Sequence, residues 1–168
     1  MARLHTGRGK VLSFYRSYHG NTGAAIASTG DARRWPNEFA IGHAHFFGPY
    51  LYRSAFWATT EQQECERALQ HLEQVIELEG PPTIAAVLLE TIVGTAGVLI
   101  PPPGYLAGVR ALCDRYGIVY IADEVMCGFG RGRQLVCVRA ARRCAGPDRL
   151  REGLQLRVRA GRRGDHLR

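Results

Sequence analysis

Two stretches of the chain are apolar without a break: residues 84–89 (Ile-Ala-Ala-Val-Leu-Leu) and residues 118–122 (Ile-Val-Tyr-Ile-Ala). Runs of this length fit strands covered on both faces, as in a parallel sheet flanked by helices. Each run ends on a carboxylate: Glu90 after the first, Asp123 and then Glu124 after the second. Elsewhere the period changes. Residues 60–78 set Leu69, Leu72, Val75, Ile76 and Leu78 on an apolar helical face. Thr60 stands at the cap position, Glu61, Glu64 and Glu66 suit the N-terminal dipole, and Gly80-Pro81-Pro82 ends the helix. Residues 104–116 make a further helix, with Leu106, Val109, Leu112 and Cys113 on one side and Gly117 as its stop. Residues 10–15 read as a short strand, residues 17–22 as a polar turn and residues 23–28 as a helix of small residues. Residues 1–9 leave no room for a preceding core element and look like a cut edge. The resulting order is strand, helix, helix, strand, helix, strand. It predicts an α/β fold with a parallel sheet, whose strand ends are where such sheets place ligands.

Residues 32–58 follow neither period. They are rich in aromatics (Trp35, Phe39, Phe46, Phe47, Tyr50, Tyr52, Phe56, Trp57) and broken by Pro36 and Pro49. A loop this long is uncommon in a compact domain, and its aromatics predict a substrate-facing or subunit-interface segment. His43 and His45 lie within it, but a His-x-His pair in a loop is weak support for a metal site.

Charge changes the picture at the C-terminal end. The formal net charge is +7, yet residues 1–133 hold twelve basic and twelve acidic side chains. Residues 134–168 hold ten arginines against Asp148, Glu152 and Asp165, so the whole excess lies there. Lys10 is the only lysine of the chain. The five cysteines (65, 113, 127, 137, 144) form no Cys-x-x-Cys pair and read as reduced thiols rather than metal ligands. With no run near the ~20 apolar residues of a membrane span and no secretory signal, the expected location is the cytoplasm.

Three stretches in order, 17–22 (Ser-Tyr-His-Gly-Asn-Thr), 90–98 (Glu-Thr-Ile-Val-Gly-Thr-Ala-Gly-Val) with the following prolines, and 121–131 (Ile-Ala-Asp-Glu-Val-Met-Cys-Gly-Phe-Gly-Arg), resemble the class III pyridoxal-phosphate-dependent aminotransferases of fold type I. The resemblance covers residues 9–133 and implies part of a three-layer α/β/α large domain that binds the cofactor. It matches Asp123 to the carboxylate that pairs with the pyridine nitrogen, keeping the ring protonated as an electron sink. Tyr18 matches the aromatic that stacks on the ring, with His19 and Gly20 beside it. Val125 matches the residue on the opposite ring face, and Glu90 a carboxylate that supports the site. Met126 stands where the family often has a polar residue near the ring hydroxyl, and Thr91 where proline is usual. Thr95 replaces a glutamate that gates an arginine in some members, which speaks against ornithine-type specificity.

The resemblance also implies two parts that this chain lacks. A phosphate-binding Gly/Ser turn is expected before residue 1, and a lysine that holds the cofactor covalently is expected after the third motif. Arginine cannot do a lysine's imine chemistry. The expectation is therefore an internal fragment, inactive on its own, of a dimeric enzyme. The intact relative would exchange an amino group between an amine or ω-amino acid and a 2-oxo acid such as pyruvate. A 4-aminobutyrate-type aminotransferase and an aminomutase are the alternatives within the class. A basic nucleic-acid-binding protein using residues 134–168, and a pseudogene product, are the alternatives outside it. For residues 134–168 themselves, translation of GC-rich DNA out of frame is favoured over a nucleic-acid-binding arm. Read one base along, the codons of Glu152 and Gly153 can encode a lysine, within a string that resembles the family's lysine segment.

Overall fold

The computed structural model describes residues 1–37, 39–129 and 131. The expectations for residues 134–168 lie outside the described residues. The chain forms α1 (Ala2–Thr6), β1 (Lys10–Phe14), α2 (Gly23–Ser28), β2 (His43–Phe46), α3 (Glu61–Glu79), β3 (Ile84–Glu90), α4 (Tyr105–Tyr116) and β4 (Val119–Asp123). The four strands make one sheet in the order β2-β1-β3-β4, and every pair is parallel.

Two elements depart from the expectation. The segment 32–58 is not loop throughout, because His43–Phe46 joins the sheet as an edge strand beside β1. Its sequence, His-Ala-His-Phe, alternates polar and apolar over only four residues, and only Phe46 is fully buried. The backbone ladder with Val11–Phe14, rather than side-chain pattern, makes it a strand. Residues 1–9, read as a cut edge, hold the short helix α1 and bury Ala2. Arg8 then donates to the carbonyls of Pro81, Ile84, Tyr116 and Gly117, stitching together the segments that feed β3 and β4.

The long helix starts where Thr60 Oγ1 accepts from the Gln63 amide at 3.2 Å, a side-chain N-cap. Its buried stripe is Cys65, Ala68, Leu72 and Ile76. Leu78, expected on that stripe, is 89% exposed, since it lies 200° around the helix from Ile76 at 100° per residue. Helix α4 stops at Gly117, whose left-handed backbone (φ 62°) lets its amide and that of Ile118 return to the last turn. Helices α3 and α4 approach closely at Gly108, where a Cβ would fall 2.4 Å from a methyl of Leu69.

Leu12, Phe14, Val87 and Leu89 pack with the faces of α3 and α4 into the principal core. Ser13, alternating with Leu12 and Phe14, points to the other face of the sheet, where its Oγ donates to the Ser28 carbonyl of α2 at 2.7 Å. Helices thus cover both faces, which is why β3 could be apolar along its whole length. Cys65, Cys113 and Cys127 are buried thiols outside any disulfide, and burial pushes the pKa of Cys113 up to about 12. Among the described residues no helix is long and apolar enough to cross a membrane.

Candidate functional site

The strand order creates a crevice. From β1 the chain moves outward to β2, whereas from β3 it moves the other way to β4. The loops leaving the carboxyl ends of β1 and β3 therefore part, and the opening between them is where ligands sit in sheets of this kind. Every residue of the candidate site hangs on this edge.

Glu90 and Asp123 end neighbouring strands and are register partners. Their surroundings differ. Glu90 is 4% exposed. One of its oxygens accepts from the Tyr18 amide at 3.0 Å and the other from the Gly94 amide at 2.9 Å. It thereby joins the turn after β1 to the loop after β3 across the crevice. Asp123 is somewhat less buried, its side chain 15% exposed. Its Oδ2 lies 2.8 Å from His19 Nδ1, and its Oδ1 accepts from the Val125 amide at 3.1 Å. Burial, the largest single influence, favours the neutral acid. The hydrogen bonds from His19 and Val125, with the attraction of His19, outweigh it and hold the carboxyl below its ordinary 3.8. Asp123 is thus an anion at neutral pH. Among the described residues each oxygen has one hydrogen-bond contact, which leaves lone pairs for a further donor.

His19 is set from both ends. Its amide donates to Thr29 Oγ1 at 3.1 Å, and its ring is only 2% exposed. Among the described residues its buried Nε2 has no hydrogen-bond partner. Gly20 has φ +118°, a conformation that side chains rarely adopt, and its carbonyl accepts from Thr29 Oγ1 at 3.2 Å. Thr29 is fully buried and braces the turn, yet no sequence signal singles it out beyond its place at the end of a small-residue helix. Gly30 passes beneath the same turn so closely that a Cβ would sit 1.8 Å from the Phe14 carbonyl oxygen.

Tyr18 carries the guanidinium of Arg33 on its ring, 3.8 Å from the centroid. Arg33 is a site neighbour that the sequence reading missed. Its signal is the Asp31-x-Arg33 spacing, for Asp31 caps a 3-10 turn at Ala32–Arg34 and grips the side chain of Arg33 as well. Glu124, next to Asp123, turns inward and accepts from Thr91 Oγ1 at 2.9 Å. Val125 is 77% exposed, and Met126, 47% exposed, packs against Gly94.

Comparison with known proteins gives the family and the fold. The model of the family described as aminotransferase class-III matches residues 1–148. The chain is 40% identical over 126 residues to the uncharacterized aminotransferase YhxA of Bacillus subtilis, covering 74% of this chain and 27% of that protein. It is 39% identical over 140 residues to the taurine–pyruvate aminotransferase of Rhodobacter capsulatus, covering 77% and 28%. Among solved structures, the taurine:2-oxoglutarate aminotransferase of Bifidobacterium kashiwanohense, in complex with PLP and glutamate, superposes with a TM-score of 0.78 at 44% identity, covering 83% of this chain and 32% of that one. The chain thus spans about a quarter of the length of these curated relatives.

Proposed function

The chain belongs to the class III aminotransferases, and on that premise we propose that residues 1–133 are part of the cofactor-binding domain of a pyridoxal-phosphate enzyme. That enzyme moves an amino group between an amine or ω-amino acid and a 2-oxo acid such as pyruvate. The observation that carries the reading is Asp123, an ionised carboxylate at a strand end beside the crevice, held by His19 at 2.8 Å.

The residues present fit the cofactor. Asp123 has unused lone pairs for a ring N–H, and its anionic charge suits a protonated pyridine nitrogen. His19 and the Val125 amide fix the carboxylate's direction, and Glu90 fixes the backbone of Tyr18, whose ring face opposite Arg33 would lie against the cofactor's. Val125 and Met126 stand exposed on the turn that would face the other side of the ring. When bound, the protonated ring supplies an electron sink for the carbon bearing the amino group.

The same reading makes this chain inactive as a transaminase. Its one lysine, Lys10, begins β1 and pairs with Glu79 at 2.7 Å. Lys10 aligns with Ile84 and Asp123 with Glu90, so six residue rises, about 20 Å, separate them along the sheet. We read residues 134–168 as translated out of frame. Trp35, Phe39 and Trp57, at 75%, 86% and 89% exposure, are consistent with burial against a second subunit of a cytoplasmic dimer.

The test is to mix the chain with pyridoxal 5'-phosphate, record absorbance, then reduce with borohydride and map the peptides. Reversible binding that Asp123→Asn weakens, with no cofactor fixed on Lys10, is expected. Binding indifferent to D123N, or a cofactor fixed on Lys10 together with turnover, overturns the proposal.

A further inference from the structure

The site as built is anionic: Asp123, Glu90 and Glu124 cluster at the ends of β3 and β4, and His19 is engaged with Asp123. An amino donor that also bears an acid group meets repulsion there unless a cation receives it. Arg33 is placed to do so. Its guanidinium lies flat on Tyr18, 3.8 Å from the ring centroid, and its side chain is 48% exposed.

The orientation of Arg33 is fixed on one edge only. Asp31 Oδ1 accepts from the Arg33 amide at 2.9 Å and from its Nε at 3.0 Å, and Asp31 Oδ2 accepts from Nε at 2.9 Å and from Nη2. Among the described residues no hydrogen bond engages Nη1. A guanidinium has five N–H donors in a rigid fork. Asp31 takes the Nε edge, and the far edge, Nη1 with the second hydrogen of Nη2, keeps the paired geometry that a carboxylate or sulfonate accepts. Asp31 and the Tyr18 ring also spare Arg33 most of the rotamer freedom it would otherwise lose on binding.

We propose that Arg33 is a specificity-determining residue that binds the acid group of an ω-amino-acid donor, with Tyr18 and Asp31 holding its guanidinium in place. This rests on the aminotransferase reading above and names the substrate class that reading leaves open. A simple amine lacks the group and gains nothing from Arg33.

The experiment uses the full chain and follows the Arg33 Nε–H resonance and the dissociation constants by NMR. Two acid probes, 2-aminoethanesulfonate and 3-aminopropanoate, are titrated beside two neutral ones, 2-aminoethanol and 3-aminopropan-1-ol. Both acids are expected to shift the Arg33 resonance and to bind about tenfold more weakly to R33Q, with R33K between, as for a charge-assisted pair. The alcohols should bind R33Q and the parent chain alike. A preference confined to one acid tells sulfonate from carboxylate and still supports the assignment. Equal binding of acids and alcohols, or acid binding unchanged in R33Q, overturns it. Arg33 is exposed, so an unchanged urea midpoint for R33Q separates its role from folding. Pyridoxamine 5'-phosphate binding by the parent chain is measured in parallel. Its loss refutes the aminotransferase reading and this assignment with it, whereas its retention with Arg33-independent acid binding refutes the assignment alone.

Discussion

Replacing Glu90 by alanine removes both acceptors that join the two loops across the crevice. The two partners are backbone amides, Tyr18 at 3.0 Å and Gly94 at 2.9 Å, and the carboxylate is 4% exposed. Water has little access to take its place. A buried donor left without an acceptor costs about 1–3 kcal/mol. Two such donors, partly relieved by loop relaxation, put E90A at about 2–4 kcal/mol, a large share of the ~5–15 kcal/mol that holds a typical domain. E90Q keeps one carbonyl oxygen but turns an NH2 toward one of the amides, so it should lose about half as much. Urea unfolding followed by circular dichroism gives the values, and an unchanged m-value shows that the native state stays compact. Loss of the separate amide resonances of Tyr18 and Gly94 should accompany the loss of stability. If E90A stays within about 0.5 kcal/mol of the parent, Glu90 does not bridge the two loops and the crevice is held by something else.

The depressed pKa of Asp123 makes a pH prediction. A folded value below the unfolded 3.8 means that its stabilising contribution is present at neutral pH and is lost as the pH falls through 3.8 and then through the folded value. The stability gap between the parent and D123N should therefore close on acidification below about pH 4, read from urea midpoints across pH. A gap independent of pH contradicts the ionised pair. Gly30→Ala forces a Cβ to within 1.8 Å of the Phe14 oxygen, and should cost about 3 kcal/mol or prevent folding, checked by soluble yield and thermal unfolding. Arg8→Ala removes the donor to four carbonyls and should cost about 1–3 kcal/mol, with faster amide exchange at Ile118. Sequencing the gene across the codons of residues 131–153 should show an alternative frame encoding a lysine segment, and a gene without one contradicts the out-of-frame reading.

The apolar runs made β3 and β4 legible, because strands buried on both faces leave no other pattern. Thr60, Gly80 and Gly117 marked their helix ends because capping is local chemistry. Edge strand β2 was hidden, since it is defined by its ladder to β1, a partner some 30 residues away. Leu78 misled because one apolar residue past the stripe looks like its continuation. The pairing of Glu90 with Asp123 followed from the two strand ends. The roles of Thr29, Asp31 and Arg33 did not, for each depends on how the turn after β1 folds back over α2. That fold-back is set by Gly20 and Gly30, whose close approaches no local pattern records.

The central claim is that Asp123 holds the ring nitrogen of the cofactor in its protonated form. Pyridoxamine 5'-phosphate labelled with 15N in the ring binds without need of a lysine, so its nitrogen shift can be followed against pH in the parent chain and in D123N. The account predicts a bound nitrogen that stays protonated well above the pH at which the free compound loses its proton, and loses that stabilisation in D123N. Identical titration curves in the two proteins, or a bound nitrogen that titrates like the free one, would contradict it.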